Sequence, residues 1–71
     1  MKHDEFIALL VQNGWELYEE NNYRKRINTT WYRYKVKPRS WKMYIQGEIF
    51  GRNVWISSHS STFARQCPPI F

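Results

Sequence analysis

The chain has one cysteine, Cys67, so an internal disulfide is excluded. A lone cysteine points to a reducing compartment, and the expected localisation is cytoplasmic. Long apolar runs are also missing. Phe6–Val11 is the longest, far short of the roughly 20 residues that cross a bilayer as a helix. His3-Asp4-Glu5 before it is not the cationic start of a signal peptide, so no membrane partner and no targeting segment are expected. The three glycines, Gly14, Gly47 and Gly51, stand apart, which excludes a Gly-rich phosphate loop. His3, His59 and Cys67 lack the paired spacing of a zinc site, and neither a metal nor a cofactor is expected. His59 lies among Ser57, Ser58, Ser60 and Ser61. Neighbours on one strand or turn rarely converge, and no acid is near in sequence, so no catalytic residue is assigned.

Acid is scarce where base is abundant. Between Tyr23 and Tyr44 there are eight Lys/Arg, six aromatics and no Asp or Glu. Formal net charge is +5 overall. In residues 1–20, Lys2 against Asp4, Glu5, Glu16, Glu19 and Glu20 leaves −4; the rest carries ten cations against Glu48 alone, leaving +9. A chain so polarised has a directed field that steers polyanions or acidic proteins.

Seventy-one residues suit a single domain, 1–71. Such a chain buries only about 60% of its unfolded surface. Four Trp, five Tyr and four Phe help, and some of them must build the core.

Asp4 reads as an N-cap, with Glu5 at the positive end of the helix dipole. Phe6, Ile7, Leu9, Leu10 and Val11 supply a helical apolar stripe, and Gly14 fits the left-handed position after the last turn. The helix is expected over 4–13. Trp15 and Leu17 alternate with Glu16 as a short strand, and Glu19-Glu20-Asn21-Asn22 is a polar turn. Tyr23–Val36 is β-rich, with a bend or bulge at Asn28-Thr29-Thr30.

A loop at Lys37–Ser40 puts Val36 opposite Trp41, Tyr34 opposite Met43 and Tyr32 opposite Ile45 on the inner face. Lys35 then meets Lys42, Arg33 meets Tyr44 and Trp31 meets Gln46 outside. A type II′ turn at Gly51-Arg52 would pair Ile49 with Val54, Gly47 with Ile56 and Glu48 with Trp55. Ser58–Ser61 should break the strand, with Ser60 or Ser61 capping a short helix through Thr62–Gln66. Phe63, Ile70 or Phe71 would pack back on the sheet, and Cys67 is read as a small apolar contact. The expected fold is α+β: one N-terminal helix packed on a small antiparallel β-meander of three to four strands, with a short C-terminal helical turn.

The outer face would then present Trp31, Arg33, Lys35, Lys42, Tyr44 and Trp55. Rings among cations on an open sheet suit single-stranded nucleic acid. Lys35 directly opposite Lys42 disfavours the sheet unless an anion lies between them. Arg24, Lys25 and Arg26 form a second basic cluster, and Arg39 lies at a loop tip. Both are candidate phosphate contacts, and equally a charged strand edge guarded against aggregation.

Phe6-Ile7-Ala8-Leu9-Leu10-Val11-Gln12-Asn13-Gly14-Trp15-Glu16-Leu17 resembles the opening of HicA-type toxins, small RNases with a dsRBD-like α-β-β-β-α fold. That family's catalytic histidine follows a Gly-Ser pair on the next strand. The comparable stretch here, Asn21-Asn22-Tyr23, has neither, and the C-terminal half lacks the closing helix. The RNase activity is not carried over.

Three readings follow. The first is a non-enzymatic module binding nucleic acid, single-stranded or RNA, through the outer face and basic loops. The second is an inhibitor or adaptor of phage or mobile-element type, docking the same face on an acidic or nucleic-acid-processing protein. The third is a divergent RNase using His59 with nearby cations. Exposed tryptophans also fit a homodimer interface.

Overall fold

The computed structural model describes residues 1–69. Its elements run α1 (His3–Gln12), β1 (Glu16–Glu19), β2 (Asn22–Ile27), β3 (Thr30–Val36), β4 (Ser40–Ile49) and β5 (Arg52–Thr62). The strands form one antiparallel sheet in sequence order. The class is α+β as expected, but the strands number five rather than three to four. The added strand comes from Asn28-Thr29, which is a two-residue turn pairing Ile27 with Thr30 and not a bend. Asn28 takes φ 58° there, a left-handed conformation that asparagine tolerates.

Helix α1 begins one residue earlier than expected. Lys2 is its N-cap and makes no side-chain cap bond. Asp4 is thus not the cap: it lies in the first turn, with Oδ1 2.9 Å from His3 Nδ1. Asp4 and Glu5 still face the positive end of the dipole. The other end is a Schellman motif. Gly14 has φ 86°; its N–H donates to Val11 O at 3.1 Å and Trp15 N–H donates to Leu10 O at 3.0 Å. Leu10 and Trp15, the two apolar positions of that motif, are both buried. Phe6 and Leu10, one turn apart, are buried and Ile7 packs beside them, whereas Val11 turns away and is 60% exposed.

The core lies between α1 and the inner sheet face, centred on Tyr34. Its ring meets Phe6 edge-on at 4.9 Å, Trp15 at 5.1 Å and Trp41 at 6.0 Å between centroids. Such contacts add about 0.5–1.5 kcal/mol each beyond burial. The inner pairs expected between β3 and β4 all form: Tyr32–Ile45, Tyr34–Met43 and Val36–Trp41.

The β4–β5 turn is Phe50-Gly51, both with positive φ (52° and 75°), the type I′ geometry that matches strand twist. It replaces the expected Gly51-Arg52 turn. Gly47 therefore pairs with Val54 and Gln46 with Trp55, a slip of two residues that leaves every side chain on its expected face.

Ser58–Ser61 does not break the chain. Strand β5 continues to Thr62 through a bulge: Tyr44 pairs with Ser57, but Met43 pairs with His59, leaving Ser58 without a rung. The bulge exchanges the two faces of β5 beyond it. An unbulged strand would set His59 beside Lys42 and turn Phe63 outward. The bulged one sets Ser60 opposite Lys42 and Thr62 opposite Ser40. Phe63, 7% exposed, enters the core at 5.7 Å from Phe6, and its N–H bonds Arg39 O at 3.0 Å.

The expected C-terminal helix is one turn only, with Arg65 and Gln66 N–H groups donating to Thr62 O at 3.1 and 3.0 Å. Trp41 Nε1 donates to Gln66 O at 3.0 Å and Tyr34 OH donates to Pro69 O, which fastens the tail to the core. Cys67 is exposed rather than an apolar contact. The packing expected of Ile70 and Phe71 lies outside the described residues. Among those described, no helix is long and apolar enough to cross a membrane.

Candidate nucleic-acid interface

Alternation along β2–β5 sorts the basic segment onto two faces. Register aligns Arg24, Arg33, Tyr44 and Ser57 in one outer row and Asn22, Lys35, Lys42 and Ser60 in the next. Arg26 opposes Trp31, and Gln46 opposes Trp55, on the same side. Trp31, Arg33, Tyr44 and Trp55 are all partly exposed, and Lys42 and Arg26 are exposed.

The rings and cations interleave. Arg33 Cζ lies 3.9 Å from the Tyr44 centroid and 5.2 Å from that of Trp55. Its Nη1 donates to Tyr18 OH at 3.2 Å. Arg24 Cζ lies 4.7 Å from the Tyr18 ring and 4.9 Å from the Trp31 ring. Lys42 Nζ stands 5.4 Å from the Tyr44 ring. These contacts spread Tyr18, Trp31, Tyr44 and Trp55 as a ridge whose spacers are guanidinium groups. Cation–π attraction of about 0.5–1 kcal/mol at exposed sites offsets the repulsion of Arg24 facing Arg33.

The charge is not uniform along that ridge. Glu16 Oε1 accepts from Arg24 Nε at 2.8 Å, an exposed pair of small worth. Arg33 Nε is buried and has no partner among the described residues. Lys35 and Lys42 oppose each other with no carboxylate paired to either among the described residues.

Two of the sequence candidates stand elsewhere. Lys25 falls on the inner side, opposite Tyr32, and its Nζ donates to Asn13 O at 2.5 Å, at the negative end of α1. Arg39 lines a cleft with Met1, Lys2 and His3 beside the helix start. Arg24-Lys25-Arg26 is thus not one cluster: the period of two separates its middle residue from its flanks.

Several contributors were not visible in the sequence. Tyr18 reaches Arg24 and Arg33 from the irregular stretch of β1 between Leu17 and Glu19. A cleft of about 390 Å³ is lined by Lys35, Lys37 and Lys42 together with Ser40, Ser60 and Thr62. The β5 bulge sets two of these hydroxyl residues, Ser60 and Thr62, opposite Lys42 and Ser40. His59, on the other register of β5, holds Ser58 Oγ at 2.9 Å from Nδ1 and is not part of that cleft. Among the described residues no group of three His, Cys, Asp or Glu could hold a metal.

Comparison with known proteins finds no matching family model, no matching curated protein and no matching solved structure. The HicA-like stretch at 6–17 is a helix–glycine–strand junction that the Schellman motif explains.

Proposed function

We propose that the protein is a non-enzymatic module that binds single-stranded nucleic acid across the outer sheet face. Bases stack on the ridge formed by Trp31, Tyr44 and Trp55, and phosphates meet Arg24, Arg26, Arg33, Lys35 and Lys42. The observation that carries the reading is the row structure itself: cations of β2, β3 and β4 share one accessible face with Trp31, Tyr44 and, from β5, Trp55. Any base has a π-face, so this arrangement favours strand binding with little sequence preference.

Titration of a labelled single strand of about ten nucleotides tests it. Trp55→Ala and Tyr44→Ala should each weaken binding by ~1–3 kcal/mol with the fold intact. Absence of binding by the purified protein would remove the proposal.

One observation favours a protein partner instead. At the β4–β5 hairpin Phe50 is fully exposed, with Ile49 48% and Ile56 46% exposed. An apolar tip next to a basic face suits an inhibitor or adaptor docking on an acidic protein. A partner that survives nuclease treatment in a pulldown, with no direct nucleic-acid binding, would favour this second reading.

A further inference from the structure

We propose that the cleft between β3, β4 and the end of β5 is a phosphomonoester site, holding the terminal phosphate of a bound strand. The inference rests on the strand-binding reading and adds to it an end preference. Three side chains bring positive charge: Lys35 and Lys42 as direct cross-strand partners, and Lys37 from the adjoining loop. Ser40, Ser60 and Thr62 bring hydroxyl donors, and no carboxylate lines the cleft.

The donor set exceeds the needs of an internal phosphodiester, which carries one charge on two free oxygens. A phosphomonoester carries about −1.5 to −2 at pH 7 on three strong acceptor oxygens. Three ammonium groups more than offset that charge, and hydroxyls can donate to oxygens the lysines leave unfilled. Opposed lysines carry a cost in the empty sheet that such a dianion relieves.

Position agrees with chemistry. The cleft lies at the loop end of the sheet, one row beyond Arg33 and Tyr44. There the Lys37–Ser40 bond (2.9 Å) and the Phe63–Arg39 bond (3.0 Å) hold the β3–β4 loop and the end of β5 together. A strand stacked on the rings therefore reaches the cleft with its end. The bulge at Ser58 supplies the last piece, because it brings the Ser60 and Thr62 hydroxyls to the outer side. Bulges recur beside functional sites for this re-aiming effect.

The test compares three otherwise identical single strands of about ten nucleotides: one with a 5′-phosphate, one with a 3′-phosphate and one with hydroxyls at both ends. One phosphorylated end should bind about tenfold more tightly than its hydroxyl counterpart. The advantage should shrink below pH about 6, where the monoester gains a proton. In the double variant Lys37→Gln, Ser60→Ala the matched strands should come within about twofold of each other. Equal binding of all three strands by the native protein overturns the terminal-phosphate site and leaves the stacking face standing. Failure of all three to bind overturns both.

Discussion

Deleting Ser58 tests the link between the bulge, the core and the outer face. Ser58 is the residue of β5 with no rung, and its removal makes the pairs Tyr44–Ser57 and Met43–His59 consecutive. The strand then runs without a bulge, Phe63 stays in the core, and Ser60 and Thr62 keep their places opposite Lys42 and Ser40. The expected change in stability is within ~1 kcal/mol, since only an unpaired, exposed serine and its contact with His59 are lost. The alternative has a very different magnitude. If β5 instead exchanged faces, Phe63 would leave the core at a cost of ~3–5 kcal/mol, the range for losing a buried phenylalanine. For 71 residues the whole stability is of order 4–11 kcal/mol, so that loss would be conspicuous. Urea unfolding measures both, with Phe63→Ala giving the scale in the same protein. A Ser58 deletion as damaging as Phe63→Ala would refute the reasoning. Deletion of Ser60 completes the comparison: a strand that removes its bulge would set the His59 imidazole opposite Lys42 in place of a hydroxyl, and the preference for a phosphorylated end should fall.

Gly14→Ala should cost about 1–2 kcal/mol in thermal or urea unfolding, because its φ of 86° is left-handed and no steric contact explains the cost. Lys25→Ala should lose about 0.5–1 kcal/mol of stability through the helix end it caps, and leave strand affinity within about twofold, unlike the removal of Lys42. Burial raises the Tyr34 phenol well above its ordinary value of 10.0. The folded state therefore keeps a proton that the unfolded chain loses above pH about 10, so this contribution is complete below that pH and falls above it, by up to ~1.4 kcal/mol per pH unit. Tyr34→Phe should give a shallower alkaline decline, with ~1 kcal/mol lost at neutral pH for the bond to Pro69; parallel declines would contradict the burial argument.

Much of the sheet was legible because side-chain faces have a period of two. The β3–β4 pairs follow directly from placing the loop between Val36 and Trp41. The β4–β5 turn was misplaced by one residue, yet the resulting slip of two kept Glu48, Trp55 and Gly47 on their faces. Asn28-Thr29 reads from the sequence as a bend or bulge, not a hairpin turn, because it lacks the glycine that marks tight hairpins. The serine run reads as a strand breaker by composition, yet tertiary pairing with β4 holds it extended. The cleft beside Lys42 depended on a bulge with no local signal, so its hydroxyls could not be assigned from spacing alone. Lys25 shows the reverse: adjacency in sequence suggested a common patch with Arg24 and Arg26, and strand alternation separates them.

The central claim is that cations on one sheet face meet phosphates while its rings meet bases. Affinity for a single strand, followed across salt concentration, tests it most directly. With about four phosphates engaged, log affinity should fall against log salt with a slope near −3. Trp55→Ala should lower the line without changing that slope, whereas Lys42→Gln should make it shallower by about 0.7. A salt-independent affinity, or a slope untouched by Lys42→Gln, would contradict the account.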